Sequence, residues 1–94
     1  MAKVYVAEFP QIDLNVAREP PLAEQTIAIG GGSVQCSNAF HASTRVIRVH
    51  TDAICSIALG GNPTATANTR RLAANQTEYF GCEGGQKIAV IANT

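Results

Sequence analysis

TRVIRVHTDAICSIAL, residues 44–59, sets the architecture of this chain. Apolar and β-branched residues recur at every second position in TRVIRVH (44–50) and again in AICSIAL (53–59), with Thr51-Asp52 between them. A period of two belongs to strands, and helical spacing is absent. In the second run Ala53, Cys55, Ile57 and Leu59 share one face of the pleat, and Ile54, Ser56 and Ala58 share the other. The larger side chains point inward, which makes Cys55 a core residue.

Downstream, Gly60-Gly61-Asn62-Pro63 and the Thr/Ala/Asn stretch to Thr69 read as an exposed loop that can carry a contact. Three further runs follow: 70–74, 77–81 and 86–92. The last contains KIAVIA, apolar on both faces, as in a central strand covered on each side. Glu83-Gly84-Gly85 is the turn before it. Upstream, Phe40 to Ser43 is a corner. TIAI (26–29), with Ile27 and Ile29 on one face, is a strand that Gly30-Gly31-Gly32 links to SVQCS (33–37), and the two read as a hairpin.

The first strand, Lys3 to Phe9, stops at Pro10, which has no N–H to donate to a ladder. Residues 10–24, PQIDLNVAREPPLAE, hold three of the four prolines. They read as an extended arm, with Pro20-Pro21 enforcing extended backbone. The expected fold is therefore all-β: a β-sandwich or jelly-roll-like barrel of about eight short strands. It forms a single domain over 1–94, with the strand and arm in 1–24 and the core in 25–94.

Composition narrows the function. Ninety-four residues leave room for one modest core and not for two domains with a cleft between them. Apolar residues make up 46% of the chain and aromatics only 5%, so Val, Ile, Leu and Ala must fill that core. Domains this small often gain stability from disulfides, metals or oligomerisation, and oligomerisation is expected here. Seven basic and seven acidic residues cancel without runs, which argues against a phosphate-tracking, nucleic-acid-binding surface. No stretch approaches the length of a membrane span, and the N-terminus lacks the apolar region of a secretory signal, so synthesis and folding in the cytosol are expected.

Each candidate for chemistry meets a simpler explanation. Cys36, His41, His50 and Cys55 supply zinc-type donors, but no pair lies within the two-to-four-residue spacing of a zinc knuckle. Cys36, Cys55 and Cys82 read instead as small buried side chains. Cys82, His50 and Asp52 make an arbitrary triad with no motif to fix its geometry. Glu78 and Glu83 are the best-placed carboxylate pair, yet they read as a strand-end charge and a turn charge. The glycine clusters precede no helix and so are turns, not phosphate loops. Arg45 and Arg48 fall on opposite faces of their strand, and Arg70-Arg71 splits across another. Arginines scattered in this way suit a protein interface better than a nucleic-acid track. No catalytic, cofactor or metal residue is expected, and the chain is not expected to be an enzyme.

From Thr44 onward, the chain runs TRVIRVHTDAICSIALGGNPTAT and then RRLAANQTEYFGCEGGQKIAVIA. This order of features resembles small virion structural proteins of tailed bacteriophages, those that decorate or cement the capsid shell or line the head–tail junction. The resemblance implies a β-sandwich or jelly roll working as a symmetric oligomer, a trimer in the favoured case. The implied partners are the major capsid protein or other virion proteins, and the implied location is the capsid surface. Two segments are the candidate interface. The arm offers Ile12, Leu14, Val16, Arg18, Pro20 and Pro21, and the loop offers Asn62, Pro63, Thr64 and Thr66. The arm either adds to an edge of a neighbouring subunit or wraps its own domain. A head–tail adaptor or tail component is the alternative assignment. A ligand- or carbohydrate-binding β module is the second, disfavoured by the absence of Trp.

Overall fold

Eight strands arranged as two antiparallel four-stranded sheets make up the body of the protein. The computed structural model describes residues 2–13, 16, 17 and 19–94, and the side chains of residues 12–18 lie outside that description. In chain order the strands are β1 (Lys3–Phe9), β2 (Ile12–Asp13), β3 (Val16–Ala17), β4 (Ala23–Ala28) and β5 (Val34–Gln35). They continue with β6 (Val46–Thr51), β7 (Cys55–Gly60), β8 (Arg70–Leu72), β9 (Thr77–Gly81) and β10 (Lys87–Ala92). Sheet I has the order β4-β1-β6-β9 and sheet II the order β5-β10-β7-β8. β2 and β3 pair with each other, Ile12 opposite Ala17, within the connection from β1 to β4. The fold is thus all-β, in line with the period-two patterning.

One apolar cluster joins the two sheets. Sheet I contributes Val4, Val6, Ile27, Ile47 and Val49, and sheet II contributes Cys55, Ile57, Leu72, Ile88 and Val90. Ile29, Cys36 and Phe40 join the cluster from the corners. Its members are almost all aliphatic, as an aromatic-poor composition requires. Cys55 is fully buried and Ile57 nearly so, on the face assigned to them.

Two consecutive runs do not pair as neighbours. β4 bonds to β1 and β5 bonds to β10, so the expected hairpin through Gly30–Gly32 does not form. The glycine segment instead carries the chain from one sheet to the other, and the Gly30 carbonyl accepts from the Ala92 N–H at 2.8 Å. β6 and β7 also part company at Thr51-Asp52: β6 lies between β1 and β9, β7 between β10 and β8. That corner is built on Thr51, whose hydroxyl donates to the Ala53 carbonyl at 2.6 Å. Its own N–H and C=O bond to Gln76 and Asn75 of the following turn.

β10 is central, as KIAVIA implies, and its second face is covered from within the chain. The loop from Gly61 to Thr69 folds across the outside of sheet II. The Gln35 amide donates to Asn62 Oδ1 at 2.8 Å and to the Pro63 carbonyl at 2.9 Å. The Ala65 N–H donates to Ser33 Oγ, and the Asn93 amide reaches both Ser56 Oγ and the Ala67 carbonyl. Under this strap Pro63, Ala65, Ser56 and Ala89 are buried. Most of the loop is exposed, as its composition implies, but Pro63 and Ala65 are buried. It is held down because an apolar outer face on the central strands would otherwise meet water.

Candidate functional site

The outer face of sheet I is met by the β1–β4 connection through Glu19, and the registers show how the face is composed. In β1, Lys3, Tyr5, Ala7 and Phe9 alternate outward against the inward Val4, Val6 and Glu8. Pairing then aligns two transverse rows across all four strands. One runs Thr26, Tyr5, His50, Thr77, and the next runs Glu24, Ala7, Arg48, Tyr79. The far end, toward Phe9, is closed: Phe9 is fully buried, with the Arg48 guanidinium 5.4 Å over its ring. The near end is open, with Tyr5 45% and Tyr79 48% exposed.

Arg48 organises this face. It bonds to Glu19 at 3.2 Å, tying the β1–β4 connection to the sheet. Partial burial alone would lower its pKa, but hydrogen bonds and charge interactions with Tyr79 and Glu19 outweigh that and hold it above its ordinary value. The guanidinium therefore stays charged. Beside it the Tyr5 and His50 rings lie 6.2 Å apart, tilted by 46°. The orientation of His50 is set by a 2.8 Å hydrogen bond between its Nδ1 and Thr77 Oγ1. Tyr5, Ala7, Glu24, Thr26, Arg48 and His50 together line an open trough of about 470 Å³.

The interface residues expected from sequence are not brought together. Pro20 and Pro21 follow Glu19 on the sheet I side, across a cis Glu19–Pro20 bond. Ile12 and Val16 belong to the β2–β3 ribbon, while Leu14 and Arg18 lie outside the described residues. Asn62, Pro63, Thr64 and Thr66 are on the opposite side of the sandwich, over sheet II. Thr64 and Thr66 are exposed there, Asn62 is engaged by Gln35, and Pro63 is buried, against the expectation for an exposed loop.

The nominees for chemistry are also separated. Cys82 bonds to Arg45 at one end of the β6–β9 pair, and His50 faces Thr77 at the other. Five residues at about 3.3 Å each put them roughly 16 Å apart. Asp52 accepts from the Lys3 N–H, and Glu78 from the Gln76 amide. Among the described residues no three His, Cys, Asp or Glu side chains gather as metal ligands. Burial, followed by the nearby charges of Glu8 and Glu83, pushes the Cys82 thiol up to about 11, which keeps it a poor nucleophile at neutral pH.

Sheet I ends at β9, which pairs with no further strand among the described residues. The Cys82 N–H donates to the Arg45 carbonyl and the Thr51 N–H to the Gln76 carbonyl, so even-numbered residues of this segment face β6. Antiparallel alternation then turns the N–H and C=O groups of Thr77, Tyr79 and Gly81 outward. Strand β9, TEYFG, carries neither Pro nor Lys, and its one charged residue is Glu78, opposite Val49. The other edge, β4, is approached by Asn38, which exchanges hydrogen bonds with the Gln25 side chain.

Sequence reasoning missed this face. The alternation of KVYVAEF and TRVIRVH places Tyr5, Arg48 and His50 outward, but only the register aligns them. Compared with known proteins, the chain matches no family, no curated protein and no solved structure.

Proposed function

We propose that this chain is a non-enzymatic structural protein of a bacteriophage virion, a decoration or cement subunit that stabilises the head by binding across capsomers. The observation that carries the proposal is the β9 edge of sheet I, which has no further strand beside it among the described residues. Natural sheets block such an edge unless another chain is to pair with it. A second copy adding a strand at β9 supplies backbone partners for the outward groups of Thr77, Tyr79 and Gly81. If each copy gives one surface and receives on another, the contact is head-to-tail and closes into a ring. Near-zero net charge suits dense packing of this kind. The feature order from Thr44 to the C-terminus, which resembles tailed-phage virion proteins, points to the capsid surface and to the major capsid protein as partner.

The test is the partition of the protein into purified virions of the phage that encodes it. A decoration subunit is recovered with the particles as a symmetric oligomer, spread over the head. Absence from the particles overturns the proposal. Recovery only as a single ring at the neck moves it to the alternative, a head–tail adaptor.

A further inference from the structure

The chain has two tyrosines and no tryptophan, and both tyrosines lie on the outer face of sheet I. Tyr5 stands in the middle of the trough. The β4 side supplies Glu24 and Thr26, the β6 side supplies Arg48 and His50, and Ala7 forms a floor too small to block access. About 470 Å³ falls within the range of roughly 300–1,000 Å³ typical of small-molecule sites.

The lining selects for a particular chemistry. An open tyrosine ring offers an apolar platform with a polar rim. Glu24 accepts hydrogen bonds, Arg48 donates a planar fork of them, and the Thr26 hydroxyl does both. His50 has its Nδ1 committed to Thr77, which leaves Nε2 as its remaining polar atom. Arg48 is already paired with Glu19 at 3.2 Å, and Glu24 adds a second negative charge. Among the described residues the trough therefore has no surplus positive charge to hold a phosphate or a carboxylate. What fits is a neutral ligand with one apolar face and adjacent hydroxyls on its rim.

We propose that this trough binds a neutral saccharide, with the sugar ring stacked on Tyr5 and neighbouring hydroxyls held by Glu24 and Arg48. Because the trough is open and not enclosed, the ligand is a unit of a longer glycan. The site does not rest on the assembly proposal: it is built on β4, β1 and β6, whereas the assembly edge is β9.

The experiment is an amide NMR titration of the intact chain with neutral tetrasaccharides of glucose, mannose and galactose, beside an oligomer of a uronic acid. At least one neutral tetrasaccharide should shift the amides of Tyr5, Thr26 and His50, while the acidic oligomer binds at least tenfold more weakly. Tyr5→Ala should weaken binding tenfold or more with amide dispersion intact. Tyr5→Phe should stay within about threefold of the parent, and Thr64→Ala, on the far sheet, should leave binding unchanged. No shift with any neutral sugar, shifts that map elsewhere, or undiminished binding by Tyr5→Ala would each overturn the site.

Discussion

At the end of β1, Glu8 is 2% exposed, and its Oε1 accepts from the His41 N–H at 2.7 Å and the Thr44 hydroxyl at 2.8 Å. These bonds fix the corner that brings the chain from sheet II back into β6. Replacing Glu8 by Ala leaves the buried Thr44 hydroxyl without its acceptor, costing about 1–3 kcal/mol, and removes the part-buried bond from the His41 N–H, whereas Gln keeps an acceptor there. Glu8→Ala should therefore lower the urea midpoint markedly and Glu8→Gln much less. Equal midpoints for the two would refute this role. Cys82 lies close enough for the charge of Glu8 to help raise its thiol. A raised folded pKa means that the folded state holds the proton more tightly than the unfolded chain does. The associated stability is present below about pH 9 and is lost as pH climbs toward about 11. Urea midpoints across that window should fall less steeply for Cys82→Ala than for the parent, and parallel curves would contradict the assignment.

Among the elements, the Gly61–Thr69 strap shows how a loop can serve packing while looking like a contact. Its composition reads as exposed, and half of that is right, since Thr64 and Thr66 face water. Pro63 and Ala65 do not, because the apolar outer side of β10 and β7 needs a cover. Gln35 is the main clasp, with two hydrogen bonds to the loop. Gln35→Ala should speed hydrogen exchange of the Ala65 amide, and of amides along the covered face, while exchange in β1 and β6 stays unchanged. Uniform acceleration throughout the protein would mean that Gln35 supports global stability and not the strap.

For the whole molecule, the strands were legible because each is a short alternating run punctuated by Gly, Pro, Asn or Thr. KVYVAEF, TRVIRVH, CSIALG, TEYFG and KIAVIA all emerge close to their observed limits. Pairing was not legible. Five of the seven links between successive sheet strands cross from one sheet to the other, so neighbours in sequence are seldom neighbours in the ladder. Periodicity tells which side of a strand is buried but not which strand lies beside it. That is why the Tyr5 trough, assembled from three strands that are distant in sequence, is not legible from the chain alone. It is also why the sequence groups Asn62, Pro63, Thr64 and Thr66, which lie over sheet II, with Pro20 and Pro21, which follow Glu19 on the sheet I side.

The central claim is that sheet I continues into another copy across β9. It is tested most directly by sedimentation velocity over a wide dilution series, comparing the parent with Tyr79→Pro and Tyr79→Ala. Proline removes the outward N–H of Tyr79 without touching the ladder to β6, and alanine removes only the side chain. The expected result is a parent oligomer at a small multiple of 9.9 kDa. Tyr79→Pro should sediment as a folded monomer, with Tyr79→Ala still largely assembled. A parent that is monomeric at every concentration, or an oligomer indifferent to Tyr79→Pro, would contradict it.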